Sequence, residues 1–245
     1  KNTKESQTVL NAHRVLQGNI YDITFDEDKG DFYFIERKNR LDVQRTIITC
    51  VERLIKNGGY SLDDIQILSP MKKGDLGVWE LNRLMQERFN PRREGIREIK
   101  VNETMVFREG DKVIHTVNNK DLNVYNGEVG RIISIFEDEG KPHVEVEYDE
   151  SRQVIYNELN IEEIELVYAK TTHKSQGSEY PVVIMPIHSS QEKMLSKTLI
   201  FTGWTRAQEK VIMVGQKSVL YKGLSKDENI VRNSNIKEKI IKEIH

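Results

Sequence analysis

Leu166-Val167-Tyr168-Ala169-Lys170-Thr171-Thr172-His173-Lys174-Ser175-Gln176-Gly177-Ser178-Glu179-Tyr180-Pro181-Val182-Val183-Ile184-Met185-Pro186-Ile187 is apolar at both ends and densely polar in the middle. Leu166 to Ala169 and Tyr180 to Ile187 read as buried strands, since a short continuous apolar run suits a strand covered on both faces. The polar run Thr171 to Glu179 joins them. By residue type alone it is either a capped helical turn in a connection or a functional loop. Downstream, Met194 to Glu209 reads as a helix and Val211 to Val214 as another buried strand. Upstream, Gln7 to Leu16 reads as a short helix stopped near Gly18. An acidic turn from Asp26 to Asp31 then precedes the strand Phe32 to Ile35. Leu41, Ile47, Ile48, Val51, Leu54 and Ile55 recur at helical spacing, and Asn57-Gly58-Gly59 supplies a stop that tolerates positive φ. Ile65 to Leu68 is a strand delivering the loop Ser69 to Gly74, and Val78 to Phe89 is the next helix. Alternating helices and strands predict an α/β fold with a parallel sheet wrapped by helices.

That rhythm breaks after Pro91. Asp111 to Val117, Glu128 to Phe136, Pro142 to Tyr148 and Arg152 to Tyr156 are short, alternating or β-branched, and Asn126-Gly127 and Asp138-Glu139-Gly140 punctuate them. They predict a small antiparallel β barrel inserted in the α/β domain. The expected division is 1–100 and 166–245 for the parallel-sheet domain and 101–165 for the barrel. Ile230, Ile236, Ile240, Ile241 and Ile244 predict a terminal helix docked by one face.

Composition narrows the function classes. Among 245 residues, 37 Lys and Arg face 39 Asp and Glu, so the chain is no globally basic nucleic-acid coat. One cysteine excludes a disulfide framework and a cysteine zinc site, and Cys50 reads as a small buried hydrophobe. No apolar run approaches the roughly 20 residues of a membrane helix, so the expectation is a cytoplasmic protein with no membrane partner. Residue 1 is Lys, which suggests a piece of something longer. No G-x-x-x-x-G-K-[ST] loop is present, so the chain cannot cradle a nucleotide in the Walker manner by itself. Six scattered histidines give no metal site, and Glu162-Glu163 and Asp63-Asp64 read as solvated pairs. Phe201 to Ala207 carries Arg206 just before a buried strand, either as a solvated helix charge or as a ligand contact at a sheet end.

Thr171 to Glu179, with Thr205-Arg206-Ala207 some thirty residues on, resembles motifs V and VI of superfamily 1 helicases of the RecD type: the α chain of exodeoxyribonuclease V and its stand-alone relatives. Ile67 to Gly74 with Leu76-Gly77 and Leu81-Asn82 resembles that family's motif IV region. Gly110 to Val113 through Asn118-Asn119 to Tyr125-Asn126-Gly127-Glu128 resembles the start of its Src-homology-3-like barrel. Asn11 to Arg14 with Gln17-Gly18 resembles the stretch after motif III. The resemblance implies the second of two RecA-like (P-loop NTPase type) domains that clamp ATP with Mg2+, bound mainly by an N-terminal RecA-like half absent here. It implies Arg206 as the arginine finger and Lys72, Gln176, Gly177 and Glu179 at the nucleotide. Thr171 and His173, and in the barrel Asn118, Asn119 and Asn126, are the implied contacts to single-stranded DNA; Asn-Gly is also plain hairpin chemistry. The implied parent is an ATP-dependent 5′ to 3′ DNA helicase of recombination and repair, with other exodeoxyribonuclease V subunits as further partners. Two competing readings are a catalytically silent module that binds single-stranded nucleic acid or a protein partner, and an RNA or conjugative superfamily 1 helicase. Gly203-Trp204 stand where the family usually has Ala and then a small or aliphatic residue, which predicts altered packing of the helix carrying Arg206 and is the best hint of a silent module. Gln208 replaces a commonly basic residue.

Overall fold

A computed structural model describes residues 6–27, 30–103, 105–149 and 152–226. The expected terminal helix after Asp227 lies outside them. Helix α1 (Gln7–Leu16) is capped by the Ser6 hydroxyl, and the Asp31 carboxylate accepts from the Gln7 amide at 3.0 Å, placing a negative charge at the positive end of the helix. Strand β1 (Phe32–Glu36) leads to α2 (Arg40–Gly58), which starts on an Asn39 cap and ends on Gly59 at φ 74°, a left-handed position that glycine takes without a Cβ penalty. Strand β2 (Ile65–Ser69) and α3 (Val78–Phe89) follow. The hairpin β3 (Glu98–Lys100) and β4 (Val106–Arg108) opens the β region. Then come β5 (Lys112–His115), β6 (Val129–Asp138), β7 (Lys141–Asp149), β8 (Arg152–Tyr156) and β9 (Ile164–Leu166). The α/β part resumes with β10 (Ala169–Thr171), β11 (Tyr180–Ile187), α4 (Lys197–Trp204), β12 (Ala207–Gly215) and α5 (Lys217–Leu224).

The large sheet runs β1-β12-β11-β2-β10 and every pairing is parallel, as the alternation predicts. Strand period decides its two cores. Phe32, Leu68, Met185, Trp204 and Met213 pack toward α1, α4 and α5, while Ile47, Ile67, Leu81, Ile184 and Ile212 pack toward α2 and α3. Cys50 lies in the second core, where burial pushes its thiol up to about 11 and keeps it unreactive near neutral pH.

The second sheet is antiparallel, ordered β8-β7-β6-β5-β9, and Phe107 from β4 closes over its core of Val113, Ile132, Val144, Tyr156 and Ile164. The helix expected over Met194 to Glu209 is shorter, covering Lys197–Trp204, and Arg206 therefore sits in the turn before β12 and not on a helix. The reason is pairing: Ala207 is already in register with Tyr180, and the Tyr180 amide donates to the Arg206 carbonyl at 2.9 Å.

The chain passes from one sheet to the other in two residues, Val167 and Tyr168, and a polar seam fixes that junction. Asn82 Nδ2 donates to the Leu166 and Ala169 carbonyls at 2.9 Å each, and its Oδ1 accepts from the Ala169 amide at 2.7 Å. Asp111, fully buried, accepts from Gln86, Asn90, the Arg108 amide and the Tyr168 hydroxyl. The barrel is therefore held to α3 and β10 by directed bonds and does not hang on a free linker. Among the described residues, no helix is long and apolar enough to cross a membrane.

Candidate nucleotide and nucleic-acid site

The polar run after β10 divides into an inner and an outer set. Thr172 and Ser175 are fully buried: the Thr172 amide donates to the Ser69 carbonyl at 3.0 Å, and the Ser175 hydroxyl to the Thr172 carbonyl at 2.6 Å. A single 3-10 turn, His173–Ser175, is thus pinned to the end of β2. Outward it presents His173, Lys174, Gln176 and Gly177, the last at φ 84° with nothing within 4 Å of where a Cβ would stand. The run is both a capped connection and an exposed loop, and its residues split between the two roles. Its last member, Glu179, is exposed and accepts from Gln208 Nε2 at 3.2 Å. That bond ties the loop to the start of β12, beside Arg206.

The Arg206 guanidinium donates to the Ser178 carbonyl and to the Thr205 hydroxyl, both at 3.3 Å, and its Nε is buried without a partner. These acceptors are neutral. Among the described residues no carboxylate pairs with it, so its charge is held in place by neutral groups. Gly203 and Trp204 explain how the turn is seated. A Cβ at Gly203 would lie 2.5 Å from the Met185 sulfur, so only glycine lets the helix come this close to β11. Trp204 is fully buried, donates Nε1 to the Met213 sulfur at 3.2 Å and meets Phe32 edge-on at 4.8 Å. The departure at these positions is core packing that fixes the turn.

Lys72 is exposed on the loop after β2, at the C-terminal end of the sheet, whereas Arg206 stands at the N-terminal end of β12. Because the strands are parallel and in register, these two cations are at opposite ends of the sheet. Lys72 instead shares a small cleft with Lys170, Thr171 and Lys174. The structure thus gathers the proposed site residues into two groups: Glu179 with Arg206, and Lys72 with Thr171.

Sequence reasoning missed Lys170. It is 5% exposed, has no acidic partner among the described residues, and its ammonium lies 5.0 Å from the centre of the Tyr180 ring. Burial, with Lys174 adding repulsion, pulls it down to about 8 from an ordinary value near 10.5. Relative to the unfolded chain the fold therefore disfavours the charged form, yet at neutral pH the ammonium is still the main species. The cost of protonating it is fully present below about pH 8 and fades as pH rises toward 10.5. Lys170→Met is expected to raise the urea midpoint at pH 7 and to lack the wild type's gain in stability between pH 8 and 10; equal midpoints for the two proteins across that range would refute it.

In the barrel, Asn118 Oδ1 accepts from the Asn126 amide at 2.9 Å. Asn119 Oδ1 accepts from the Asp121 and Leu122 amides at 3.1 Å each, and its Nδ2 donates to Glu163 at 2.8 Å. Both side chains are therefore committed to turn geometry, as Asn-rich turns ordinarily are. Asn126 is exposed, before Gly127 at φ 99°.

Residues 81–148 match the family described as the ATP-dependent RecD-like DNA helicase SH3 domain, and residues 166–214 match the UvrD-like helicase C-terminal domain. The second match contains Thr171 to Glu179 and Arg206. The chain is 34% identical over 154 residues to the ATP-dependent RecD2 DNA helicase of Deinococcus radiodurans, covering 63% of this chain and 20% of that protein. It is 27% identical over 165 residues to the RecBCD enzyme subunit RecD of Buchnera aphidicola subsp. Schizaphis graminum, covering 66% of this chain and 26% of that protein. It therefore spans about a fifth to a quarter of the length of these relatives. A solved Pif1 helicase from Candida albicans aligns with 84% of this chain and 58% of its own at 12% identity, with a TM-score of 0.46.

Proposed function

We infer, from the matches to the RecD-like helicase SH3 domain and the UvrD-like helicase C-terminal domain, that the chain is the C-terminal part of a RecD-like helicase and supplies the second half of an ATP-driven DNA motor. The single observation carrying this reading is Arg206: a guanidinium fixed by two neutral oxygens, with one N–H unpartnered and, among the described residues, no acid to neutralise it. Such a group suits an anion that arrives from outside the chain. ATP with Mg2+ supplies phosphoryl transfer when bound, and the chain's own part is electrostatic. Arg206 neutralises charge spread over the transferred phosphoryl oxygens, as an arginine finger does. Glu179, adjacent to it through Gln208, accepts from a ribose hydroxyl. Gln176 and Gly177 bring exposed loop backbone up to the nucleotide. The Walker-type phosphate loop and the metal ligands belong to the other RecA-like half. That half is the partner this surface needs, with residues 1–100 and 166–245 as the second RecA-like domain and 101–165 as its barrel.

Single-stranded DNA is the second partner. Thr171, His173 and the barrel's Asn126 face outward where a backbone can meet hydroxyls and amides without sequence preference. Asn118 and Asn119 act through the turns they hold. The core packing of Gly203 and Trp204 supports a working finger over a silent module. On this reading the motor serves recombination and repair in the cytoplasm beside other exodeoxyribonuclease V subunits; what supports a shared complex is that relatives are named as RecBCD enzyme subunits. Translocation is 5′ to 3′. The test is strand displacement by the full-length parent on duplexes with DNA or RNA tails of either polarity. Unwinding of DNA from a 5′ tail is expected; unwinding of RNA only, or from 3′ tails only, would refute the substrate or the direction.

A further inference from the structure

Trp79, at the first turn of α3, is 46% exposed although it is one of only two tryptophans in the chain, and the other, Trp204, is fully buried. A large aromatic left half in water at a domain junction is unusual for core packing. Trp79 lines three clefts at the junction of α3 and the barrel. One of about 680 Å³ runs past Lys73 and Arg83, and one of about 240 Å³ runs toward Met105 and Glu162. The third holds Lys72, Lys170, Thr171 and Lys174.

The charges around the indole are uneven. On the β10 side stand three lysines, of which Lys174 has a long pair with Glu165 at 3.6 Å, half in solvent, and Lys170 is nine-tenths buried with no acidic partner among the described residues. On the α3 side Arg83 pairs with Glu80 and Arg108 with Glu87, while the Lys73 ammonium lies 5.5 Å from the centre of the Trp79 ring, a long-stemmed cation that a stacking base displaces toward its own phosphate. A buried cation kept at a cost in stability, beside two more cations and an exposed aromatic ring, fits a ligand that is anionic at one end and flat at the other.

We propose that Trp79 is a stacking platform for a base of single-stranded nucleic acid, whose adjoining phosphate is held by Lys72, Lys174 and the Thr171 hydroxyl over the buried charge of Lys170. Asn82, which lines the 240 Å³ cleft, spends both its donor and its acceptor on the Leu166 and Ala169 backbone, so it cannot read a base edge. The platform accepts any base. This deepens the reading of the chain as half of a single-strand motor and gives its track a specific foothold on the barrel side of the loop.

Because Trp204 is buried, quenching of intrinsic fluorescence by an oligonucleotide reports Trp79. Titrating the chain with oligo-dT, oligo-rU and an abasic strand of equal length is expected to give saturable quenching by the two base-bearing strands and none by the abasic one. Trp79→Phe removes the signal but keeps the affinity, whereas Trp79→Ala weakens dT binding about 5- to 150-fold, the range for one lost stacked base. Lys72→Ala with Lys174→Ala lowers the salt dependence of log K by roughly 1.4, two phosphate contacts at about 0.7 each. Binding without a change in fluorescence, or Trp79→Ala binding as tightly as wild type, would overturn the platform while leaving the motor reading standing. Absence of any strand binding at low salt would overturn it as well, and the ATP cleft would still be decided independently by Arg206. Equal binding of dT and rU assigns the site to single strands in general; a preference assigns it to one.

Discussion

In the full-length parent, Arg206→Ala is expected to lower kcat for ATP by about 10³- to 10⁵-fold while leaving nucleotide affinity within a few-fold of wild type, the behaviour of a charge used only in the transition state. The fixed geometry is what makes the effect large. The Ser178 carbonyl and Thr205 hydroxyl orient the guanidinium, and the turn that carries it is clamped between the Trp204 core and the Tyr180 amide. An ion held in position needs no reorganisation when charge develops. Arg206→Lys is expected to recover little, since an ammonium cannot reproduce the planar fork that both oxygens position. Single-turnover ATP hydrolysis together with binding of a fluorescent nucleotide separates the two quantities. Turnover within tenfold of wild type would remove the finger assignment. Glu179→Ala should act the other way, raising KM more than it lowers kcat, because a ribose contact is equally present in ground and transition states.

The parts of this architecture that were readable from sequence are those where local pattern and tertiary structure agree. The helix Gln7–Leu16 has its Ser6 cap and its glycine stop, Gly18 at φ 83°, in sequence and both are used, although Val15 is its one fully buried apolar residue. The parallel sheet follows from long apolar runs such as Tyr180–Ile187, which have no polar face to expose. Arg206 was placed on a helix because Arg206-Ala207-Gln208-Glu209 are good helix formers. Propensity lost to the β11 pairing that begins at Ala207. Strands of three residues, Ile164–Leu166 and Ala169–Thr171, fall below the length at which a period can be read, and which sheet each joins is decided by long-range pairing. Lys170 and Trp79 escaped for a different reason. A lysine in sequence looks solvated and a tryptophan looks buried, and here each does the opposite. Only coordinates reveal such inversions, and they occur beside the loop that sequence does mark.

Asp111 is the residue whose loss should cost the fold most. Its carboxylate takes two donors on each oxygen: Gln86 Nε2 at 2.5 Å and the Arg108 amide at 2.7 Å on Oδ2, Asn90 Nδ2 at 2.8 Å and the Tyr168 hydroxyl at 2.9 Å on Oδ1. Gln86, Asn90, Arg108 and Tyr168 are themselves buried, so none of their donors can turn to water. Asp111→Ala strands four of them in a low-dielectric junction, and the expected loss is about 3–5 kcal/mol, a large share of the roughly 5–15 kcal/mol that holds a typical domain. Asp111→Asn is the sharper variant, because it keeps the shape. Whichever way its amide is turned, one NH₂ faces two donors, so an isosteric change should still cost about 2 kcal/mol or more. Urea unfolding followed by far-UV circular dichroism measures both. A midpoint for Asp111→Asn equal to that of wild type would mean the four donors are satisfied elsewhere. The predicted loss would show that the barrel's attachment to α3 and β10 is made of lone pairs and not of contact area.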